Sequence, residues 1–395
     1  MVTDRDDRAS SSAQSTVSNR LAAGNVWNQE LNRVLDKIDF VQLRTDYCCY
    51  IRRQDDDFTI LLVWVDDFIS LSTMELLNDS TEQNLKAHFE IKSLGLPRLL
   101  LGMQIRVAPD TISLCQSHYV DSLLEKYGLA DANPLTTPMD SNVKLDAYDK
   151  HEPEGEEDSK ITHGYAQLIG SLMYLALGTR PDIAFAVNKL AQYTSNPKAL
   201  HWTAVKRIFR YLKYTKHFAL TYGGDNDEDI LNTELNIFCD ADWANDTSDR
   251  KSISGYVVTM AGGAVSWSSK KQQTVALSTA EAEYISATHV AKQVLWHRSL
   301  FEELDLPLPT TSTIFTDNQA AISISHHPEF HARTKHIDIA HHFLRDLIEQ
   351  KIIDTVYVNT RDNLADLFTK GLARDLHEDL TYRIGVMSGQ GGVLE

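Results

Sequence analysis

Four carboxylates in the last third of this 395-residue chain stand at element boundaries. They are Asp240 in Ile237-Phe238-Cys239-Asp240-Ala241-Asp242-Trp243, Glu283 in Ser278-Thr279-Ala280-Glu281-Ala282-Glu283-Tyr284, Asp317 in Ile314-Phe315-Thr316-Asp317-Asn318, and Asp366 in Asn363-Leu364-Ala365-Asp366-Leu367. Two like charges about 4 Å apart repel by roughly 4 kcal/mol at an effective dielectric near 20, so such a cluster is stable only when cations or protons neutralise it. Magnesium takes hard oxygen ligands, and two such ions roughly 3.5–4 Å apart stabilise both the attacking and the leaving oxygen of a phosphodiester. If the fold brings the four acids together, the chemistry they imply is metal-dependent cleavage of nucleic acid.

The elements that must position them can be read from periodicity. Leu235 to Asp242 alternates, with Leu235, Ile237 and Cys239 on one face and Asn236, Phe238 and Asp240 on the other, which predicts a strand ending near Asp240. Ser254 to Met260 and Ala264 to Ser268 are two further strands, joined by the turn signal Ala261-Gly262-Gly263. After Ser278 the period becomes helical, and Ser278 with Glu281 fits a capping box; that assigns Glu281 to the helix start and leaves Glu283 to face the acids. Asp317 follows a short β-prone run from Thr313, a place where open α/β sheets gather ligands. A helix from Thr334 to Lys351, a strand from Ile352 to Asn359 and a helix carrying Asp366 complete the order β-β-β-α-β-α-α-β-α, an α/β fold with a mixed sheet.

This run resembles the ribonuclease H domain of copia-type retrotransposon polyproteins. The likeness lies in Cys239-Asp240-Ala241-Asp242-Trp243-Ala244, Ser278 to Tyr284, Thr316-Asp317-Asn318-Gln319-Ala320-Ala321, Lys335-His336-Ile337-Asp338-Ile339 and Ala365-Asp366-Leu367-Phe368-Thr369-Lys370, and it covers about Leu231 to Leu372. It implies a ribonuclease H-like mixed sheet with flanking helices. Carried over by position, the catalytic and metal-binding acids are Asp240, Glu283, Asp317 and Asp366. The resemblance further implies two Mg²⁺ ions, with Mn²⁺ as a substitute, and cleavage of the RNA strand of an RNA–DNA hybrid to 5′-phosphate and 3′-hydroxyl ends. Asp240 would bridge both ions, Glu283 and Asp317 would complete one, and Asp366 the other.

A single Asp at a strand end is usually a solvated cap or turn residue; the ordered set is what changes that reading. Asp242 is read as a turn residue or one lying behind the ligands, Asp338 and Asp362 as surface. His336, His341 and His342, on one amphipathic helix with Lys335 and Arg345, are read as a solvated polar face rather than a zinc site, since no Cys pairs with them at metal-ligand spacing.

In the first half, the apolar run Ile60 to Val65 ends in Asp66-Asp67 and continues as Phe68-Ile69-Ser70-Leu71. An acidic pair at a tight bend resembles the metal-binding hairpin of reverse transcriptases, with Trp64 in place of tyrosine. Trp27-Asn28 through Asp46-Tyr47-Cys48-Cys49-Tyr50, Ser93-Leu94-Gly95 through Leu101-Gly102-Met103-Gln104-Ile105, and Thr137-Pro138-Met139 resemble the same copia-type enzyme in order. A palm polymerase needs a third carboxylate from an earlier strand, and residues 1–25 are polar and read as disordered, so polymerisation by this chain alone is not expected.

Tyr165 to Tyr222 resembles the family's connection region, through Leu168 to Tyr174, Thr179-Arg180-Pro181-Asp182-Ile183, and His201-Trp202 through Arg210-Tyr211-Leu212-Lys213. In its last helix Trp202, Val205, Ile208, Phe209 and Leu212 form a core-facing stripe, while Lys206, Arg210 and Lys213 recur at helical spacing as a candidate phosphate-tracking face. A solvated face is the alternative for those three.

The expected organisation is a disordered segment 1–25, a truncated α+β reverse transcriptase palm and thumb remnant 26–140, an acidic linker 141–160, a helical connection region 161–228, a ribonuclease H-like domain 229–375 and a tail 376–395. A formal net charge of −17 argues against a general nucleic-acid binder and predicts weak, magnesium-dependent binding. Four cysteines give no disulfide framework and no Cys-x-x-Cys pair, and no stretch approaches the roughly 18 apolar residues of a membrane span. An intracellular protein is expected, with cytosol and nucleus not distinguished. The rival readings are a catalytically inactive relic that at most binds nucleic acid, and an integrase-type transferase, which would bring a His/Cys zinc module not found here.

Overall fold

Alternating apolar residues over short runs give this chain three sheets, and helices with one apolar face cover them. The computed structural model describes residues 26–141, 143, 145, 156–224, 234–244, 249–326 and 338–389. These divide into two units, one of residues up to Gly95 together with Trp296–Leu306, the other of Leu96–Leu295 and 307 onward. The expected segment 1–25 and residues 142, 144 and 146–155 of the expected linker 141–160 lie outside the described residues, as do Lys335 and His336, and a helix takes up the linker from Glu156.

The first unit runs α1 (26–37), β1 (Val41–Gln42), β2 (Cys49–Gln54), β3 (Asp57–Trp64), β4 (Asp67–Ser72) and α2 (Glu75–Lys86). Its strands pair antiparallel in chain order. Alternation along β3 sends Leu61 and Val63 against Leu31, Leu35 and Leu85, while Phe58 and Ile60 face the opposite side with Leu43, Ile51 and Leu304.

The second unit opens with β5 (Leu99–Leu100), β6 (Met103–Val107), β7 (Thr111–Cys115) and α3 (Ser117–Lys126). It continues through α4 (Glu156–Gly178), α5 (Ala184–Ala191), α6 (Ala199–Tyr214) and β8 (Phe218–Gly223). Then come β9 (Asn236–Asp242), β10 (Ile253–Met260), β11 (Gly263–Lys271), α7 (Thr279–Leu304, of which the part from Trp296 belongs to the first unit), β12 (Ser312–Thr316), α8 (Gln319–His326), α9 (Asp338–Glu349) and β13 (Ile353–Tyr357). A 3-10 turn Leu364–Phe368, α10 (Arg374–Arg383) and β14 (Val386–Ser388) complete the unit.

The sheet that carries the acids has the order β11-β10-β9-β12-β13. Its first three strands are antiparallel, and β12 runs parallel to both β9 and β13. The hairpin between β10 and β11 turns through Ala261 (φ 50°) and Gly262 (φ 77°), and two consecutive positive φ values are what a tight right-twisting hairpin requires. Ile237, Cys239, Tyr256 and Val258 point to a core shared with Tyr284, Val290 and Val294 of α7 and Leu344 of α9. Val257 and Phe238, one position out of phase, point to the opposite core, which holds Leu172 of α4, Val187 of α5 and Phe209 of α6. This is the mixed α/β sheet with flanking helices that the sequence predicts.

Three boundaries differ from the sequence reading. Residues 218–223, read as part of a helical region, form β8, which pairs antiparallel with β7 from Thr111↔Gly223 to Leu114↔Leu220. The division therefore falls at Gly95 and not near residue 140, because a backbone ladder ties 111–114 to 220–223. The expected tail is folded up to Gly389: α10 buries Leu380, and Val386 of β14 pairs with Leu220.

Candidate metal centre

Strand register decides which acids meet. In the parallel pair β9 and β12, Ile314 lies opposite Ile237 and Phe315 opposite Phe238, and the same offset carries Asp317 level with Asp240. Neighbouring strands lie about 4.8 Å apart, so the two carboxylates leave adjacent strand ends. Glu283 comes from the first turns of α7, whose Ser286 hydroxyl donates to the Asp240 carbonyl (2.7 Å) and the Gly255 carbonyl (3.1 Å), clamping the helix onto β9 and β10. Asp240, Glu283 and Asp317 each offer a carboxylate oxygen within 4.8 Å of the other two, the one such group among the described residues.

Asp366 reaches the site by a different route. Its 3-10 turn is pinned to β9 by Asn363, whose Nδ2 donates to the Cys239 carbonyl (3.0 Å) and whose Oδ1 accepts from the Ala365 amide (3.1 Å). Gly255, opposite Asp240 in the sheet, gives the turn room: a Cβ there would lie 2.6 Å from Thr369 Cγ2, 2.8 Å from Phe368 Cβ and 3.1 Å from the Ala365 carbonyl oxygen. Lys370 Nζ lies 2.8 Å from Asp366 Oδ1 and 3.8 Å from Asp240 Oδ2. The Thr369 hydroxyl donates to Asp240 Oδ2, and that of Thr360 donates to Asp317 Oδ2 (2.7 Å).

Electrostatics follow from this crowding. Burial, then the charges of Asp240 and Asp317, push the Glu283 carboxyl up to about 10. Burial and Asp240 push Asp366 up to about 7 against the pull of Lys370. Burial alone would depress Lys370, but Asp240 and Asp366 more than offset it and hold its ammonium above the ordinary lysine range. Glu283 Oε2 is buried and finds no hydrogen-bond partner among the described residues. An orphaned carboxylate oxygen beside two further acids is the donor set that a hard divalent cation satisfies.

The helix start behaves nearly as the capping motif predicts. Ser278 Oγ accepts from the Glu281 amide (3.2 Å), and Glu281 Oε2 accepts from the Leu277 amide (2.9 Å), one residue before the expected return. Asp362 is exposed and takes an ion pair from Arg383 (3.2 Å). The side chains of Asp338 and His341 lie outside the described residues, and His342 is exposed. Arg345, read as part of a solvated face, is instead buried and donates to the Ile324 carbonyl, closing the last turn of α8.

The basic residues of α6 make contacts within the fold. Arg210 Nε donates to the Asn133 carbonyl (2.6 Å), Lys213 Nζ to the Ala132 carbonyl (2.9 Å), and Lys206 lies over the Trp202 ring. Two of the three cations thus tie down the 132–133 segment. Asp66 and Asp67 are exposed at the two-residue connection of β3 and β4, where Trp64 pairs with Asp67 and Val65 takes a φ of 55°. Among the described residues no third acid joins them.

Gly255, Ser286, Asn363 and Thr360 are the working residues that motif reading missed. Asn363 carried a legible signal, since Asn favours the cap position of a helical turn. Gly255 carried none, because its role appears only when β10 and the 3-10 turn are superposed.

A profile of the reverse transcriptase (RNA-dependent DNA polymerase) family matches residues 14–141. Over 365 residues the chain is 34% identical to the retrovirus-related Pol polyprotein from transposon TNT 1-94 of Nicotiana tabacum, covering 92% of this chain and 27% of that protein. It is 35% identical over 366 residues to the corresponding polyprotein from transposon RE1 of Arabidopsis thaliana, covering 92% and 24%. The chain belongs to the copia-type retrotransposon polyproteins. This polyprotein segment spans about a quarter of the length of those relatives. Its reverse transcriptase match starts within the stretch 1–25 that composition alone reads as disordered. Among solved structures, LC11-RNase H1 in complex with an RNA/DNA hybrid is 12% identical with a TM-score of 0.26, covering 34% of this chain and 94% of that one. No helix among the described residues is long and apolar enough to cross a membrane.

Proposed function

We propose that the second unit of this polyprotein segment is a divalent-metal-dependent ribonuclease that cuts the RNA strand of RNA–DNA hybrids, with Mg²⁺ as its ion and Mn²⁺ as a substitute. The observation that carries this reading is the meeting of Asp240, Glu283 and Asp317 within 4.8 Å, with one buried Glu283 oxygen left without a partner. Asp240, Glu283 and Asp317 would hold one cation, and Asp240 with Asp366 a second. Bound there, such ions lower the pKa of a water and stabilise the departing 3′ oxygen of a phosphodiester. The chain's own residues supply the arrangement: Ser286 fixes the Asp240 backbone, Thr360 and Thr369 each fix one carboxylate oxygen, and Asn363 fixes the turn that presents Asp366. Preference for hybrids requires reading a 2′-hydroxyl on one strand only.

A second reading, an inactive relic that at most binds nucleic acid, draws on the net charge of −17 and on the internal engagement of Arg210 and Lys213. The first unit carries Asp66 and Asp67 without a companion acid among the described residues, and no polymerising role is proposed for it. One assay separates the two readings: cleavage of an end-labelled RNA–DNA hybrid with Mg²⁺ by the wild type and by Asp317→Asn. Loss of a partner outside the metal ligands typically lowers activity by about 10–100-fold, so loss of a ligand should lower it by at least about that much. Equal rates for the two proteins would remove the catalytic reading.

A further inference from the structure

Trp243 carries its indole the opposite way round from an ordinary surface tryptophan. Such a residue usually buries its ring and leaves its one polar group, the N–H, to water. Here Nε1 donates inward to the Ala276 carbonyl (3.1 Å), yet 44% of the residue is exposed. The chain on either side of it is fixed: β9 ends one residue earlier, and the following amide, of Ala244 (φ 51°), donates to the hydroxyl of buried Ser252 (3.2 Å). Ala276, which anchors the ring, packs with Ala241, next to Asp240 in sequence, and with Ala282, next to Glu283. Val275 and Leu277, on either side of Ala276, are exposed as well. An anchored aromatic ring with exposed apolar neighbours thus adjoins the acids, and three residues of chain keep the Trp243 Cα within roughly 10 Å of that of Asp240.

We propose that the indole face of Trp243 binds a ribose of the RNA strand beside the nucleotide that is cut, and so positions that strand over the acids. This rests on the hybrid-cutting reading above. In a paired hybrid the faces of the bases are stacked on one another, so what a duplex offers a flat apolar side chain beside a phosphodiester is the C–H face of a sugar in the shallow minor groove. The contact needs no cation on the protein, which suits a chain whose net charge of −17 opposes recognition of phosphate. The anchoring N–H bond exists before substrate arrives, so little further ordering of the ring is required on binding. Trp243 is a positioning residue in this account: it offers the acids no ligand and the reaction no proton.

The test is a coupling measurement read by binding and not by cleavage. Labelled RNA–DNA hybrids, each with a single 2′-O-methyl ribose at a different position of the RNA strand, are titrated by fluorescence anisotropy with the Asp317→Asn chain, with and without Trp243→Ala. Trp243→Ala should weaken binding of the unmodified hybrid by about fivefold to tenfold, as expected for the loss of some 50 Å² of apolar contact. At one or two positions next to the cut, the added methyl should weaken binding by the chain that keeps Trp243 and leave the Trp243→Ala chain unaffected, a non-additivity that loss of folding cannot produce. Trp243→Leu replaces Trp243→Ala should that protein not fold, with a smaller loss and the same coupling. Additive effects at every position, or no binding of hybrid by the chain that keeps Trp243, overturn the proposal. An abasic ribose at the coupled position should preserve the loss caused by Trp243→Ala; if removing the base abolishes that loss, the ring stacks on a base and the sugar contact is overturned. A wild type that leaves the hybrid uncut while the coupling is present overturns the ribonuclease reading and upholds the Trp243 contact.

Discussion

Glu283 shows what the site requires at the scale of one side chain. Burial, and behind it the charges of Asp240 and Asp317, raise its carboxyl from the ordinary 4.5 to about 10, so the folded chain without metal holds a proton there at neutral pH that the unfolded chain releases. The folded state thus binds more protons than the unfolded state between those values, and stability falls as pH rises through that window. The slope is at most about 1.4 kcal/mol per pH unit. Denaturant unfolding of the metal-free protein from pH 5 to 9 should show this decline, and Glu283→Gln should flatten it above pH 7, where the raised Asp366 carboxyl no longer adds to it, while abolishing stabilisation by added Mg²⁺. A Glu283→Gln protein with an unchanged pH slope would remove Glu283 as the source. The meeting of Asp240, Glu283 and Asp317 was legible because each sits in its own motif at an element boundary. Their protonation was not, since burial by α7 and β9 is a property of the assembled fold.

At the scale of elements, the 3-10 turn bearing Asp366 depends on two residues outside it or at its edge. Gly255→Ala would force a methyl against Thr369, Phe368 and the Ala365 carbonyl, an overpacking worth about 1–3 kcal/mol. Asn363→Ala would leave the Cys239 carbonyl without its partner and the turn without its cap, about 1–2 kcal/mol. Both variants should lower thermal stability and hybrid cleavage together, whereas a normal cleavage rate in Gly255→Ala would show that the turn tolerates displacement. On α6 the expectation is reversed. Arg210→Gln and Lys213→Gln should each lower stability by roughly 1 kcal/mol and leave the salt dependence of hybrid binding unchanged, because their charges are held by carbonyls of the 132–133 segment. The helical spacing of these residues was legible, and their partners about 80 residues away in sequence were not. The order of elements along the chain was legible for the same reason that the helix partners, and the order of strands across the sheet, were not: periodicity speaks only to local structure.

For the whole second unit, the sequence could not disclose that the turn before α5, helix α6 and helix α10 share one polar knot. Arg180 and Asp182, both fully buried, form a two-pronged ion pair (2.9 and 2.6 Å), with Thr215 accepting from Arg180 and Tyr211 donating to Asp182 (2.7 Å). His377 of α10 lies edge-on to Tyr211. Removing one member of a buried pair strands the other, so Arg180→Met should destabilise by about 3–5 kcal/mol. The connection helices and the acid-bearing sheet should melt in one calorimetric transition, and two separate transitions would show the knot to be incidental. The pairing of β14 with β8 has a practical consequence for shortened versions of the chain. A protein ending at residue 383 would retain every acidic ligand yet uncover the outer rim of β8, with its amides and carbonyls from Phe218 to Leu220 open to foreign strands. Such a product is expected to collect in the insoluble fraction, and its apparent inactivity would then report self-association and not lost chemistry.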